Sequence, residues 1–338
     1  MSLHPAAGTP GDYRELKRLV GQAGLLERQP VYYAFKIPAT LAVLAVGLLT
    51  LAFADIAGLQ LVNAVFLAFA FTQIGFIGHD AGHHQIFRSA RDNDRLGLIF
   101  GNLLLGLSHS WWVDKHSRHH SHPNDPDLDP DVEVPVLAFS EQQARSKRGL
   151  SRHIVKYQAY LFFPLLLLEA ISLRVDSIRY LMEKRPKHAL LEVLLLIGHF
   201  VWYLGLVFYS LPIGLAALFV IVHQAVFGLY MGSVFAPNHK GMPMTGAGVR
   251  LDFLHEQVLT ARNVRSHALT DFLYGGLNYQ IEHHLFPRLA RNNLKRAQAV
   301  IKPFCAAHSI PYHETGWLQS YREVLQHFQQ VSTVCREN

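Results

Sequence analysis

Three short stretches of this sequence concentrate histidine at spacings that suit metal binding. His79-Asp80-Ala81-Gly82-His83-His84 sets two imidazoles four residues apart. His116-Ser117-Arg118-His119-His120, followed by Ser121-His122-Pro123-Asn124, repeats spacings of three and four. On a helix such residues share one face, so two rings a turn apart can hold the same metal. The adjacent pair His119/His120 can point at two different metals. The third stretch, Gln280-Ile281-Glu282-His283-His284, keeps the spacing of the second, with Gln where its first His stands. A fourth element is His239, in Ala236-Pro237-Asn238-His239-Lys240-Gly241. Each also has a plainer reading when taken singly: the first stretch as a polar cap at lipid headgroups, the second as a solvated basic run before a turn, and His239 as a headgroup-facing residue. About eight imidazoles exceed the four ligands of one zinc and suit two metal ions. Nitrogen donors favour Zn, Fe, Cu or Ni, so ligand type alone does not name the metal. The carboxylate pattern of bundle di-iron sites, Glu with Glu-x-x-His, is not the one here. Asp80 and Glu282 read better as partners that orient imidazoles.

The elements that must position these groups are membrane helices. Half of the 338 residues are hydrophobic and 17% are charged, below the roughly 25% of soluble domains. The apolar residues sit in long blocks. A spanning helix takes about 20 mostly apolar residues, and four segments qualify: Ile37–Phe53, Leu59–Gly78, Ala189–Tyr209 and Ile213–Phe235. The links Asp55–Gly58 and Ser210–Pro212 contain no Lys or Arg. Arg14, Lys17, Arg18, Arg28 and Lys36 precede the first span, Arg88, Arg91 and Arg95 follow the second, and Lys184, Arg185 and Lys187 precede the third. The positive-inside rule then puts both termini, and the segments 79–188 and 236–338, in the cytosol. All the histidine stretches emerge on that side. The expected fold is a single all-α integral-membrane domain over 1–338, with four transmembrane helices in two hairpins and a cytosolic helical cap holding a di-metal site.

Two shorter apolar runs, Leu96–Leu107 and Tyr160–Ser172, read as in-plane or buried. Asn124–Asp131 is a turn-rich acidic loop, and the tail predicts helices over Asn293–Ala307 and Leu318–Val331. The excess of 31 Lys+Arg over 25 Asp+Glu flanks the apolar blocks and forms no stripe for nucleic acid, which fits anionic headgroups instead. Two cysteines, Cys305 and Cys335, exclude a disulfide framework or a Cys-based zinc site. The first thirty residues lack the apolar stretch of a signal peptide, which keeps the N-terminus cytosolic. Glu192, His199, His223 and Gln224 lie within spans and need partners; an interhelical hydrogen bond is the expected one.

The motifs HDAGHH, KHSRHHSHPN, APNHKG and NYQIEHHLFP resemble the membrane fatty acid desaturases in order, spacing and topology. The match runs from about Gly78 to Pro287. Gln280 in place of a first histidine resembles the front-end group, which inserts a double bond between an existing one and the carboxyl end; some bacterial acyl-CoA desaturases look similar. The resemblance implies two iron ions with O2 as co-substrate, held by His79, His83, His116, His119, His120, His239, His283 and His284. It leaves His84 and His122 outside the ligand set, and an amide such as Gln280 can hold a metal-bound water. Front-end relatives often carry a fused cytochrome b5 domain with a His-Pro-Gly-Gly motif, whereas this chain has His4-Pro5-Ala6-Ala7. The electrons are accordingly expected from a separate ferredoxin, rubredoxin or cytochrome b5 with its reductase. The substrate is expected to be an acyl-CoA or acyl-lipid, and the site a bacterial plasma membrane.

Removing hydrogen from an unactivated methylene is work for a cofactor, and the protein's part is to position two adjacent methylenes in a dry site. Trp111, Trp112, Phe76, Phe87 and Tyr279 can line an acyl tunnel, or equally belong to a core or aromatic belt. Arg262, Asn263 and Arg265 can meet a headgroup or CoA phosphates, or simply face lipid. Two rival functions share the histidines. A membrane di-iron hydroxylase has the same architecture and differs in its product. A divalent-metal transporter would set its ligands near the bilayer midplane, where only His199 and His223 fall.

Overall fold

A computed structural model describes residues 10–246 and 251–336. Among the described residues, four helices are long and apolar enough to cross a membrane: Pro30–Phe53, Ala57–Gly82, Ala189–Ser210 and Ile213–His239. They coincide with the four spans expected from hydropathy, the first beginning earlier at Pro30, the second running from Ala57 to Gly82, the third ending one residue later at Ser210 and the fourth reaching His239. In hydrocarbon every backbone group must be satisfied within the segment, which leaves the helix as the form such runs adopt. Val46, Leu49, Ile197, Val201 and Ile221 are exposed on them, as lipid-facing side chains are. Neither shorter apolar run makes a helix of spanning length. The first becomes a π-helix, Leu98–Leu105, and the second is shared between Gln158–Leu166 and Glu169–Lys184. The tail helices fall at Leu294–Ala307 and Trp317–Ser332, within a residue or two of their expected ends. Cys305 and Cys335 are buried free thiols.

The chain packs as two compact units. One comprises Arg28–Asp114 and Pro164–Ser233; the other comprises the described residues up to Glu27, Lys115–Phe163, and the described residues from Val234 on.

In the first unit, polar side chains close the first hairpin. Gln60 Nε2 donates to the carbonyls of Thr50, Leu51 and Ala54 at 3.0, 3.2 and 2.7 Å. These carbonyls end the helix Pro30–Phe53 and have few partners within it. The π-helix is held in a similar way. Its wide turn frees carbonyls, and Leu103 O accepts from His199 Nδ1 at 3.1 Å and Trp202 Nε1 at 2.9 Å, while Leu105 O accepts from Arg174 at 3.1 Å. Gly106 then turns the chain at φ +78, where a Cβ would lie 2.4 Å from the His199 ring. Glu192, fully buried, accepts from Ser108 Oγ at 2.6 Å and Asn102 Nδ2 at 3.0 Å, and also from Ser110 Oγ. His223 meets Tyr203 OH at 2.6 Å across two spans, the interhelical bond that its position required.

Gly228 faces backbone. A Cβ there would lie 2.6 Å from Leu166 O and 2.8 Å from Ala170 N, atoms that cannot rotate away. Gly228→Ala is therefore expected to cost about 1–3 kcal/mol, the scale of overpacking. A thermal series on detergent-solubilised protein, read by size exclusion, should show a lower midpoint for the variant.

The second unit carries a core of Leu16, Val20, Leu254, Val258, Ile281, Leu285, Leu294 and Ile301 among others. It joins the helices Pro10–Gln22, Phe253–Leu259, Gln280–Leu285 and Leu294–Ala307. All six residues of Gln280–Leu285 are buried, and Tyr13 OH donates to Leu285 O at 3.0 Å. A short helix so enclosed is a rigid mount for His283 and His284. A second cluster, with Ala138, Val155, Val331 and Val334, packs the last helix against the central segment.

Candidate metal centre

His116, His119 and His120 ride on the helix His109–Ser121. Ser108 Oγ accepts from Trp111 N at 3.1 Å and Glu192 from Ser110 N at 3.3 Å, so a hydroxyl and a carboxylate meet the free N–H groups where this helix starts. His239 is the last residue of the helix Ile213–His239.

Three rings of the second unit converge. His119 Nδ1 lies 3.0 Å from both oxygens of Asp129. His239 Nδ1 lies 3.0 Å from Thr260 O, and His284 Nδ1 lies 3.0 Å from Gln257 Oε1. Each of these partners is an acceptor, so each ring donates from Nδ1, and the neutral ring then carries its lone pair on Nε2. One ligand atom from each ring lies within 4.8 Å of those of the other two, and His119 Nε2 and His239 Nε2 are 3.3 Å apart. His284 Nε2 is buried without a hydrogen-bond partner. Burial lowers the His119 pKa despite Asp129, and burial with the neighbouring imidazoles lowers that of His284 well below its usual value. Lone pairs facing one another in a buried space, on rings that resist protonation, fit a metal cation.

The Asp129 carboxylate is itself fixed. It accepts from Asn124 N and Asp131 N, each at 2.8 Å. Burial pushes its pKa up, but His119 and Lys240 outweigh burial and hold it below the usual carboxylate range. Sequence reading took this stretch for an acidic loop and missed the ligand partner within it. Gln280 Nε2 approaches His239 Nε2 at 2.9 Å, and its Oε1 accepts from Asn238 Nδ2 at 3.0 Å.

The remaining rings of this unit make a second group. His120 Nε2 is 3.1 Å from His116 Nε2 and 3.1 Å from His283 Nε2. In the first unit, His79 and His83 share a helix face as their spacing required, with ring centroids 4.7 Å apart. Trp112 packs edge-on against both, at 5.3 and 5.7 Å. Asp80 accepts from Tyr33 OH at 3.0 Å and lies 3.5 Å from His79 Nδ1. His84 turns away to Asp94 at 2.9 Å, and His122 is exposed.

Two sequence expectations change. Glu282 orients no imidazole; its oxygens accept from Asn263 Nδ2 and Tyr312 OH, both at 2.6 Å, and burial pushes its pKa up to about 7. Arg262 and Asn263 are fully buried and make internal bonds, so neither meets a headgroup, whereas Arg265 is exposed. Adjacency in sequence misassigned these residues, because both serve elements that are distant along the chain. Of the aromatic candidates, Phe76, Trp111 and Tyr279 are buried and Phe87 is 40% exposed.

Comparison with known proteins gives a family to this arrangement. The family model described as fatty acid desaturase matches residues 31–316. The chain is 29% identical over 335 residues to an acyl-lipid (9-3)-desaturase of Physcomitrium patens, covering 96% of this chain and 63% of that protein. It is 30% identical to the Delta(6)-fatty-acid desaturase fat-3 of Caenorhabditis elegans, over 95% of this chain and 74% of the relative. A Delta(8)-fatty-acid desaturase of Euglena gracilis is 32% identical, over 89% and 74%. The chain thus spans between three fifths and three quarters of the length of these relatives.

Proposed function

This chain belongs to the fatty acid desaturase family, and from that premise we propose that it forms a cis double bond in a fatty acyl chain at two histidine-held iron ions. One would be held by His119, His239 and His284; His79, His83, His116, His120 and His283 are the remaining histidines proposed as ligands. The observation that carries the reading is the convergence of three Nε2 lone pairs whose rings all donate from Nδ1. Bound iron supplies the O2-dependent removal of hydrogen from unactivated methylenes, which no side chain performs. Overall, two hydrogens from the substrate, one O2, two protons and two electrons yield two waters and the alkene.

The chain's own residues do the rest. Asp129, Thr260 O and Gln257 hold the rings in the tautomer that offers Nε2. Gln280 has a further role. Asn238 Oδ1 is buried with no partner, and turning both amides over keeps the bond between them while aiming Gln280 Oε1 toward the three rings. In that arrangement Gln280 completes the group as an oxygen donor, directly or through water. The burial of His119, His239, His283 and His284 keeps bulk water from the reacting carbons.

The substrate is an acyl-CoA or an acyl-lipid, and the new bond lies on the carboxyl side of an existing one, in line with the Delta(6) and Delta(8) names of the relatives and with Gln280. The electrons come from an external carrier such as a ferredoxin, a rubredoxin or cytochrome b5. The arginines and lysines beside the spans favour a cytosolic site at a plasma membrane, with the whole chain acting as one catalytic domain. The test is total fatty-acid profiling by gas chromatography–mass spectrometry in a host supplying a ferredoxin system, beside His283→Ala. New unsaturated chains absent from the variant support the proposal; hydroxylated chains in their place would refute it.

A further inference from the structure

We infer that Arg262 is a positioning residue for His239 and that Glu323 holds it in place. The inference rests on the reading of His239 as a metal ligand. A helix leaves its last carbonyls without intrahelical partners, and Ile213–His239 ends on the very residue that carries the imidazole. Arg262 serves this end three times. Its Nε donates to Pro237 O at 2.7 Å, its Nη2 to Lys240 O at 2.8 Å, and its backbone N–H to Asn238 O at 2.8 Å. The carbonyl left between them, His239 O, accepts from Asn124 Nδ2 at 3.2 Å. Every carbonyl from 237 to 240 is thereby gripped, and a cation stands at the negative end of the helix dipole.

A guanidinium buried this completely needs an anion. Glu323 provides it, accepting from Arg262 Nη1 at 2.7 Å. Glu323 is steadied in turn by His313 Nε2 at 2.9 Å and Thr315 Oγ1 at 3.2 Å. The parallel pairing of Asn263–Val264 with Glu314–Thr315 ties the same two segments through backbone. Glu323 belongs to the helix Trp317–Ser332, whereas the family match ends at 316. The last long helix therefore reaches the His239 corner in two steps, Glu323 to Arg262 and Arg262 to the backbone at 237–240. Productive metal geometry tolerates errors of only about 0.5 Å, so loosening this corner is felt at the imidazole. Lysine cannot replace the fork, because one ammonium does not span two carbonyls and a carboxylate in a fixed plane.

The test compares wild type, His239→Ala, Arg262→Gln, Arg262→Lys and Glu323→Gln as monodisperse proteins well below their melting temperatures. The readouts are iron per chain and the rate of iron loss to a chelator. Both Arg262 variants are expected to follow His239→Ala, losing about one iron per chain, with release of the weaker ion at least about tenfold faster than in wild type. Glu323→Gln should fall between, since an amide oxygen still accepts but no longer balances the charge. If His239→Ala keeps wild-type iron, the ligand reading fails and takes this inference with it. If His239→Ala loses iron while the folded Arg262 and Glu323 variants keep it at the wild-type rate, the positioning role alone is overturned. Should Arg262→Gln not yield folded protein, Glu323→Gln decides: unchanged iron release overturns the inference.

Discussion

His284→Ala is expected to abolish product formation, with a loss greater than the 10- to 100-fold typical of removing an outer partner of a metal ligand. His284 is fully enclosed, its Nδ1 is committed to Gln257 Oε1, and its Nε2 faces the other two rings. Alanine removes one donor of three and leaves a space that water fills with a weaker ligand. The measurement is unsaturated product per milligram of folded enzyme, together with iron per chain. His122→Ala is the control, since His122 is exposed and a surface change of this kind is expected to alter activity by no more than about twofold. Equal losses in both variants would mean that burial and convergence do not mark the site.

The second large effect is expected at Asp129. Asp129→Ala removes the carboxylate that lies 3.0 Å from His119 Nδ1, and also the acceptor for the N–H groups of Asn124 and Asp131. Loss of such a partner typically lowers metal affinity or activity by 10- to 100-fold. Asp129→Asn should lose less, because an amide oxygen still accepts the proton but does not make the ring a better donor. A chelator titration of both variants against wild type reads the order directly. Wild-type affinity in Asp129→Ala would contradict the role given to this carboxylate.

Why Asp129 escaped sequence reading is physical. Helical spacing relates His79 to His83, or His116 to His120, because one regular element fixes both positions. Asp129 reaches His119 across an irregular turn held by Asn124 and Asp131, and no periodicity encodes that closure. Gln257 and Thr260 O are farther still along the chain from the rings they orient. The four spans were legible because length and hydropathy alone decide them. The π-helix Leu98–Leu105 left no signal, since an apolar run reads the same whichever turn it adopts; His199, Trp202 and Arg174, each distant in sequence, take up carbonyls that it frees. Arg262 and Glu282 show the opposite error. Both lie close in sequence to features of the site, and adjacency suggested roles that tertiary packing assigns elsewhere.

That the histidines of this chain hold iron for acyl desaturation is the proposal on which the other expectations rest. Its most direct test is metal analysis by inductively coupled plasma mass spectrometry on purified protein, paired with single-turnover product from the same preparation. About two iron ions per chain are expected in active preparations, with product falling in proportion as iron is withdrawn and returning when ferrous iron is restored. Active preparations that hold zinc in place of iron, or that form the double bond with no iron bound, would contradict it.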